Sequence, residues 1–330
     1  MKSGKKYISR SSKISIGITM GDPAGIGPRI IAKALAQVSG LADFIIIGDK
    51  WVFDQVTLPV RQAGKSPCYK FIDLDNVQHK NFQFGKVRAE YGRAAMEYLD
   101  KALELIETQE IDGLVTCPLS KEAVNLAGFS GFSGHTEYLA RYAKVKNYVM
   151  MLANKYLRFS LVTRHIPLAK VSKLLSIGDI CATIALTQRT LKDFFAISDP
   201  RLVVLGLNPH ASDNGLIGDE EKKIITPAVK IMRKKIKRLD GPLPADVGVR
   251  HLAQRQYDAA IAMYHDQALI PLKLSGGLSG TNLTLGLPFV RVSPLHGTAF
   301  DIAGTDKADA TSLLDSIKLA IQCVTNQKNL

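Results

Sequence analysis

ISIGITMGDPAGIGPRIIAKALAQ, residues 14–37, is the stretch whose reading decides the fold class. An apolar run of strand length meets a turn containing Gly21, Gly25 and Gly27, then leaves through Pro28 into an apolar pattern spaced for a helix. Proline suits a first helical turn because its missing N–H would find no partner there. Glycine lets the backbone turn tightly and approach another group closely. The same succession recurs along the chain. Strands are predicted at 14–19, 44–47, 113–116, 148–152, 159–163, 202–207, 259–263 and 288–292, and helices at 28–37, 88–108, 119–127, 136–143, 180–194 and 308–323. Such alternation predicts an α/β fold on a largely parallel sheet, with ligands at the carboxyl ends of the strands. The glycine turn matches neither a GxGxxG loop nor a phosphate loop ending in lysine. Its pattern alone fits a structural turn as well as a binding loop.

The 330 residues, 46% hydrophobic and 22% charged, describe an ordinary globular chain longer than one core supports, so two domains and a cleft between them are expected. The net charge of +13 raises nucleic-acid or anion binding as a class. Much of the excess lies at Lys2, Lys5, Lys6, Arg10 and Lys13, and in the 222–238 segment, and neither run is interleaved with aromatic residues. Within 222–238, Ile225, Val229, Met232 and Ile236 recur at three- and four-residue steps, which predicts an amphipathic helix with its basic face in water. No nucleic-acid partner is therefore expected. The apolar stretch at 14–20 is interrupted by Ser15, Gly17 and Thr19, unlike a signal sequence, and no apolar run approaches a membrane span. Cys68, Cys117, Cys181 and Cys323 have no paired spacing, which argues against a disulfide framework or a zinc ribbon and suits a reduced cytoplasm.

Several loops carry chemistry. Gly134-His135-Thr136-Glu137 opens a helix, where His135 and Thr136 beside free N–H groups can hold an anion, or Thr136 can simply cap the helix. His165, His210 and His265 each follow an apolar strand. Converging neutral imidazoles bind divalent metals, although spacings this wide match no local metal signature and also fit hydrogen-bonded structural histidines. Lys273, the glycine-rich stretch 275–280, Asn282 and Arg291 suit phosphate or carboxylate recognition, since lysine and arginine donate several charge-assisted hydrogen bonds.

Assembled in order, the motifs ITMGDPAGIGP (18–28), GK (85–86), TCPLSK (116–121), GHTEYLA (134–140), LRFSLVTRHIPL (157–168), GLNPHA (206–211), YHDQ (264–267), NLTLGLPFVR (282–291) and HGTAFDIAG (296–304) span nearly the whole chain. They resemble the 4-hydroxythreonine-4-phosphate dehydrogenase family of vitamin B6 biosynthesis. HGTAFDIAG is also similar to the cofactor segment of isopropylmalate and isocitrate dehydrogenases. The resemblance implies two α/β/α domains around a central cleft, without a GxGxxG Rossmann loop, and a cytoplasmic homodimer. The expected division is a cofactor-side domain of 1–130 plus 275–330 and a metal, substrate and dimerisation domain of 131–274.

The same resemblance implies metal ligands at His165, His210 and His265, shared across the dimer interface and holding zinc, magnesium or cobalt. It implies substrate contacts at His135, Thr136, Lys273, Asn282 and Arg291, and NAD or NADP contacts at His296, Gly297, Thr298 and Asp301. The implied reaction oxidises the C3 hydroxyl of 4-phosphohydroxy-L-threonine to a β-keto acid that decarboxylates to 3-amino-2-oxopropyl phosphate. Lys273, Asp266 and Asp246 are the candidates to take the hydroxyl proton, and a lysine does so only where a metal or burial favours its neutral form. The chain departs from the family pattern at Arg29, at Leu216 in the loop after His210, at Val247 and at Leu295. These departures bear on the NAD or NADP choice and keep a 4-phosphorylated sugar acid, threonate or erythronate 4-phosphate, as the alternative substrate.

Overall fold

A computed structural model describes residues 13–57 and 68–330, so the basic residues from Lys2 to Arg10 lie outside the described part. The strands are β1 (Ser15–Thr19), β2 (Asp43–Gly48), β3 (Lys70–Asp73), β4 (Gly113–Thr116), β5 (Val149–Ala153), β6 (Arg158–Leu161), β7 (Leu202–Leu205), β8 (Leu239–Leu243), β9 (Ala259–Ala262), β10 (Thr281–Leu285) and β11 (Val290–Pro294). The helices are α1 (Gly27–Val38), α2 (Lys50–Thr57), α3 (Ala89–Glu107), α4 (Lys121–Leu126), α5 (His135–Tyr142), α6 (Val171–Leu174), α7 (Ile177–Asp193), α8 (Thr226–Arg233), α9 (Ala245–Ala253), α10 (His265–Gly276) and α11 (Thr311–Lys328). The α/β class and every predicted strand and helix position are found.

All strands join one 11-stranded sheet in the order β3-β2-β1-β4-β11-β10-β5-β6-β9-β7-β8. It is parallel from β3 to β11 and again from β6 to β8. Between these blocks β10 runs antiparallel to both β11 and β5, and β5 antiparallel to β6. The two parallel blocks therefore point in opposite directions, and the expectation of a largely parallel sheet holds within each block but not through the middle. Residues 45–47, 114–116, 203–205 and 260–262 are buried, as expected of strands covered by helices on both faces. One continuous core surrounds the first block, while the second block packs separate apolar clusters on its two faces, one around Ile180, Ile184 and Val229 and the other around Phe159, Leu205 and Leu272.

Pro28 sits in the first turn of α1, as its position predicts. Gly21 adopts φ 71°, and a Cβ there would meet Pro118 O at 2.2 Å. The glycine turn is thus pressed against the loop that follows β4. The basic segment is corrected in its extent. Ile225, Val229, Met232 and Ile236 are buried as predicted, but α8 ends at Arg233 and the chain turns into β8. The stretch 275–280 is corrected too, because Ser275 and Gly276 complete α10 and the loop begins only at Gly277. Among the described residues no helix is long and apolar enough to cross a membrane, and the four cysteines are free thiols.

Candidate active site

Where the antiparallel centre meets the first parallel block, a cavity of about 350 Å3 opens between the end of β4, the start of α5, and β10 and β11. Its floor is Arg291, the second residue of β11, only 2% exposed. The guanidinium donates to Thr116 Oγ1 at 2.7 and 3.2 Å, to Thr284 Oγ1 at 3.1 Å and to Thr136 Oγ1 at 3.5 Å. Among the described residues no carboxylate is bonded to it. Desolvation lowers its pKa to about 10, with only the charge of Glu137 opposing, so it remains a cation at neutral pH. Burying an ion costs several kcal/mol in real proteins, and neutral hydroxyls return only part of that. A cavity floored by such a group is built to receive an anion.

Of the other expected substrate residues, His135, Thr136 and Asn282 line the cavity and Lys273 does not. His135 begins α5, and burial, reinforced by the positive charges of Arg291 and Lys121, holds its pKa well below the usual imidazole value, so the ring is neutral. Thr136 is not the helix cap. Gly134 occupies that position, and Thr136 is buried with its hydroxyl toward Arg291. Asn282 lies on β10 against the cavity with its Oδ1 buried and unpartnered. Lys273 approaches from α10, its Nζ donating to Leu295 O at 3.3 Å beside His296.

Of the expected cofactor residues, His296 and Gly297 form part of the same wall, and His296 Nε2 is buried without a partner. Thr298 O accepts from Ile26 N at 3.0 Å, which ties this loop to the glycine turn. Asp301 is exposed farther along. Arg29, one of the departures, is 4% exposed and donates to Val56 O, the Asp306 carboxylate and Thr305 O. It locks α1 onto the chain just beyond the cofactor segment. Leu295 offers the carbonyl that Lys273 meets, Val247 is half-buried on α9, and Leu216 is 84% exposed.

A second cavity of about 580 Å3 shares Lys121, Ser133, Glu137 and His165 with the first. Glu137 pairs with Arg164 at 3.8 Å, and Arg164 lies over the Tyr148 ring. His165 and His265 face each other with ring centroids 5.6 Å apart. Partial burial, then the positive charges of Lys121 and His265, keep the His165 pKa below its ordinary value and the ring neutral. His265 Nδ1 bonds Asp266 Oδ1 at 2.7 Å, leaving Nε2 for another partner. A carboxylate behind a histidine in this way fixes the tautomer that binds metal. His210 is exposed on a turn after β7. Within one chain the described residues hold no group of three or more metal-binding side chains, so His210 stands apart from the other pair. Asp246, in the first turn of α9, is exposed.

Residues that pattern reasoning did not single out complete the site. Thr116 and Thr284 hold Arg291, and Lys121, first residue of α4, reaches both cavities. Asp22, fully buried in the glycine turn, accepts from Ala24 N at 2.9 Å, and its other oxygen is unpartnered. Desolvation raises its pKa to about 7 against the lowering effect of the hydrogen bond from Ala24 N and the nearby Ser120 backbone. The short motifs 18–28, 116–121 and 282–291 are the only signal for these positions, because their roles depend on contacts across the sheet.

Residues 33–320 match the family model described as pyridoxal phosphate biosynthetic protein PdxA. The 4-hydroxythreonine-4-phosphate dehydrogenase of Desulfosudis oleivorans is 42% identical over 93% of this chain and 95% of its own length. The D-threonate 4-phosphate dehydrogenase of Salmonella typhimurium is also 42% identical, over 93% of this chain and 98% of its own. A crystal structure of 4-hydroxythreonine-4-phosphate dehydrogenase from Klebsiella pneumoniae superposes with a TM-score of 0.85 at 38% identity, covering 96% of this chain and 99% of that one.

Proposed function

Because the chain belongs to the PdxA family of pyridoxal phosphate biosynthetic proteins, we infer that it is a dehydrogenase oxidising the C3 hydroxyl of 4-phosphohydroxy-L-threonine with NAD or NADP and a divalent metal. The β-keto acid product decarboxylates to 3-amino-2-oxopropyl phosphate. The observation that carries this reading is Arg291, a buried cation without a carboxylate partner at the base of a cavity that also holds neutral His135 and the unpartnered Asn282 Oδ1. Such a floor receives the anionic end of the substrate and so helps hold the C3 hydrogen toward the nicotinamide, which converts binding energy into orientation.

The donor chemistry of His165 and His265 fits a divalent cation: both rings face one space and His265 is oriented by Asp266. His210 completes the set with a second subunit. A bound metal would lower the pKa of the substrate hydroxyl and polarise the later ketone. The chain's own contribution is to hold the His165 imidazole neutral and to supply Lys273, which we assign as the group that takes the hydroxyl proton where the metal or burial favours its neutral form. Asp266 is engaged with His265, and Asp246 lies on the exposed start of α9. NAD(P) would lie along His296, Gly297, Thr298 and Asp301, on the side formed by 1–130 and 275–330. The homodimer reading draws support from α10, where Ile270 and Leu274 are 60% and 84% exposed on the helix that begins with His265, and Leu278 just beyond it is 66% exposed. The protein is proposed to act in the cytoplasm.

A 4-phosphorylated threonate is the second reading. Glu137, the carboxylate lining both cavities, is already paired with Arg164. In the Arg291 cavity an α-ammonium group therefore finds no disengaged carboxylate among the described residues, whereas a C2 hydroxyl needs none. Appearance of NAD(P)H absorbance with 4-phosphohydroxythreonine and with D-threonate 4-phosphate, each with added divalent metal, tests both readings. Turnover with neither substrate would remove the function.

A further inference from the structure

Three neighbouring strands, β6, β9 and β7, end in the loops that carry His165, His265 and His210. Their ladders stop short of those loops, at Leu161 opposite Ala262 and at Val204 opposite Ile261. Beyond that point the strand ends are joined by a chain of hydrogen bonds centred on Gln267, which is 8% exposed in the first turn of α10. Its Oε1 accepts from Met263 N at 2.7 Å, and its Nε2 donates to Gly206 O at 2.7 Å. Met263 O in turn accepts from Thr163 N at 3.1 Å and Thr163 Oγ1 at 2.7 Å. On the far side, Leu207 N and Asn208 N each donate to Glu221 Oε1 at 2.8 Å, while Asn208 Nδ2 donates to Glu221 Oε2 at 2.8 Å. The path thus runs from two residues before His165, past the residue two before His265, to within two residues of His210.

A primary amide is the side-chain group that accepts from one backbone N–H while donating to another backbone carbonyl in the same plane. Both partners here are buried strand ends, so an unmade bond would leave a desolvated polar group. We propose that Gln267 is a positioning residue: it sets the relative register of the three histidine-bearing loops and, through them, both the His165–His265 pair of its own subunit and the His210 that this subunit lends to the metal set of its partner. This rests on the reading of those histidines as metal ligands. Gln267 touches neither metal nor substrate and acts only through Met263 and Gly206.

The test is titration of the metal-free full-length protein with Co2+, followed by its visible absorbance, for wild type, Gln267→Met and Gln267→Glu. Inorganic phosphate binding, expected at Arg291, is measured on the same samples. Orienting residues behind metal ligands typically account for about 10- to 100-fold in affinity, and Gln267→Met is expected to lose that much for Co2+ while binding phosphate as wild type does. Gln267→Glu keeps the acceptor for Met263 N and should lose less, and it decides the matter if the methionine variant does not fold. Wild-type Co2+ affinity in both variants would overturn the proposal alone. Parallel loss of Co2+ and phosphate binding in both would make Gln267 merely structural and overturn it as well. Wild-type protein that takes up no Co2+ would remove the metal reading and this proposal with it.

Discussion

Arg291 shows how a single side chain can be costly to the fold and still necessary to the site. Its partners are hydroxyls of Thr116, Thr136 and Thr284, so replacing it leaves no buried carboxylate uncompensated. Arg291→Met should therefore unfold no earlier than wild type in thermal denaturation without ligand. Each charge-assisted bond to an anion is worth about 1.5–3 kcal/mol, so KM for the phosphorylated substrate should rise at least about tenfold. Early unfolding with unchanged KM would refute the assignment. Asp22 makes a prediction in pH. Its folded-state pKa is raised to about 7 from 3.8, so the folded chain holds a proton that the unfolded chain releases. Stability from this group is full below pH 3.8 and is lost as pH rises toward 7. Asp22→Asn keeps an acceptor for Ala24 N and removes the titration. Its advantage over wild type in denaturant midpoint should be larger at pH 8 than at pH 5; an advantage independent of pH would contradict the assigned burial effect.

Among the elements, those that bury an apolar face were legible and those that break local rules were not. Residues 88–108 predict α3 almost to the residue because Ala94, Ala95, Tyr98, Leu99, Ala102 and Leu105 lie on one buried side. β10 places Thr281, Asn282 and Thr284 in buried positions, a polar pattern that reads as a loop until Arg291 and the cavity supply the partners. β3 is a half-exposed edge strand, and β8 contains Gly241-Pro242, which reads as a turn. α10 carries Pro271 inside it, a signal for a helix end that the packed structure overrides. The turn bearing His210 is the clearest local conflict. His210, Ala211, Ser212, Asp213 and Asn214 all adopt positive φ, between 45° and 68°, without a glycine among them. A left-handed residue with a Cβ costs roughly 1–2 kcal/mol. Ala211→Gly, at φ 52°, is therefore expected to stabilise the protein by about 1 kcal/mol less the entropy glycine adds to the unfolded chain. The same change at Ala94 inside α3 should lower stability, and equal losses at both sites would count against the left-handed turn.

For the molecule as a whole, the basic excess and the exposed apolar stripe make separate predictions. Lys230, Lys234 and Lys235 are exposed on or just beyond α8, opposite a buried Ile225, Val229 and Met232, and they line neither cavity. Changing the three to Gln should leave kcat/KM unaltered, because they only solvate the helix; a marked fall would give the charge a role in turnover. Leu274→Asp places a charge in the stripe of α10 and should shift sedimentation from dimer toward monomer with loss of activity. An unchanged dimer would place the interface elsewhere. Sequence alone determined the α/β class, the order of most elements and the family, since apolar periodicity, turn chemistry and ordered motifs are local properties of the chain. Tertiary structure alone decided that the sheet reverses at β10 and β5, that Arg291 is buried without a carboxylate, and that Gln267 bridges two strand ends. Those facts depend on which residues meet from opposite ends of 330 positions, and burial, desolvation and shared hydrogen bonds exist only once they have met.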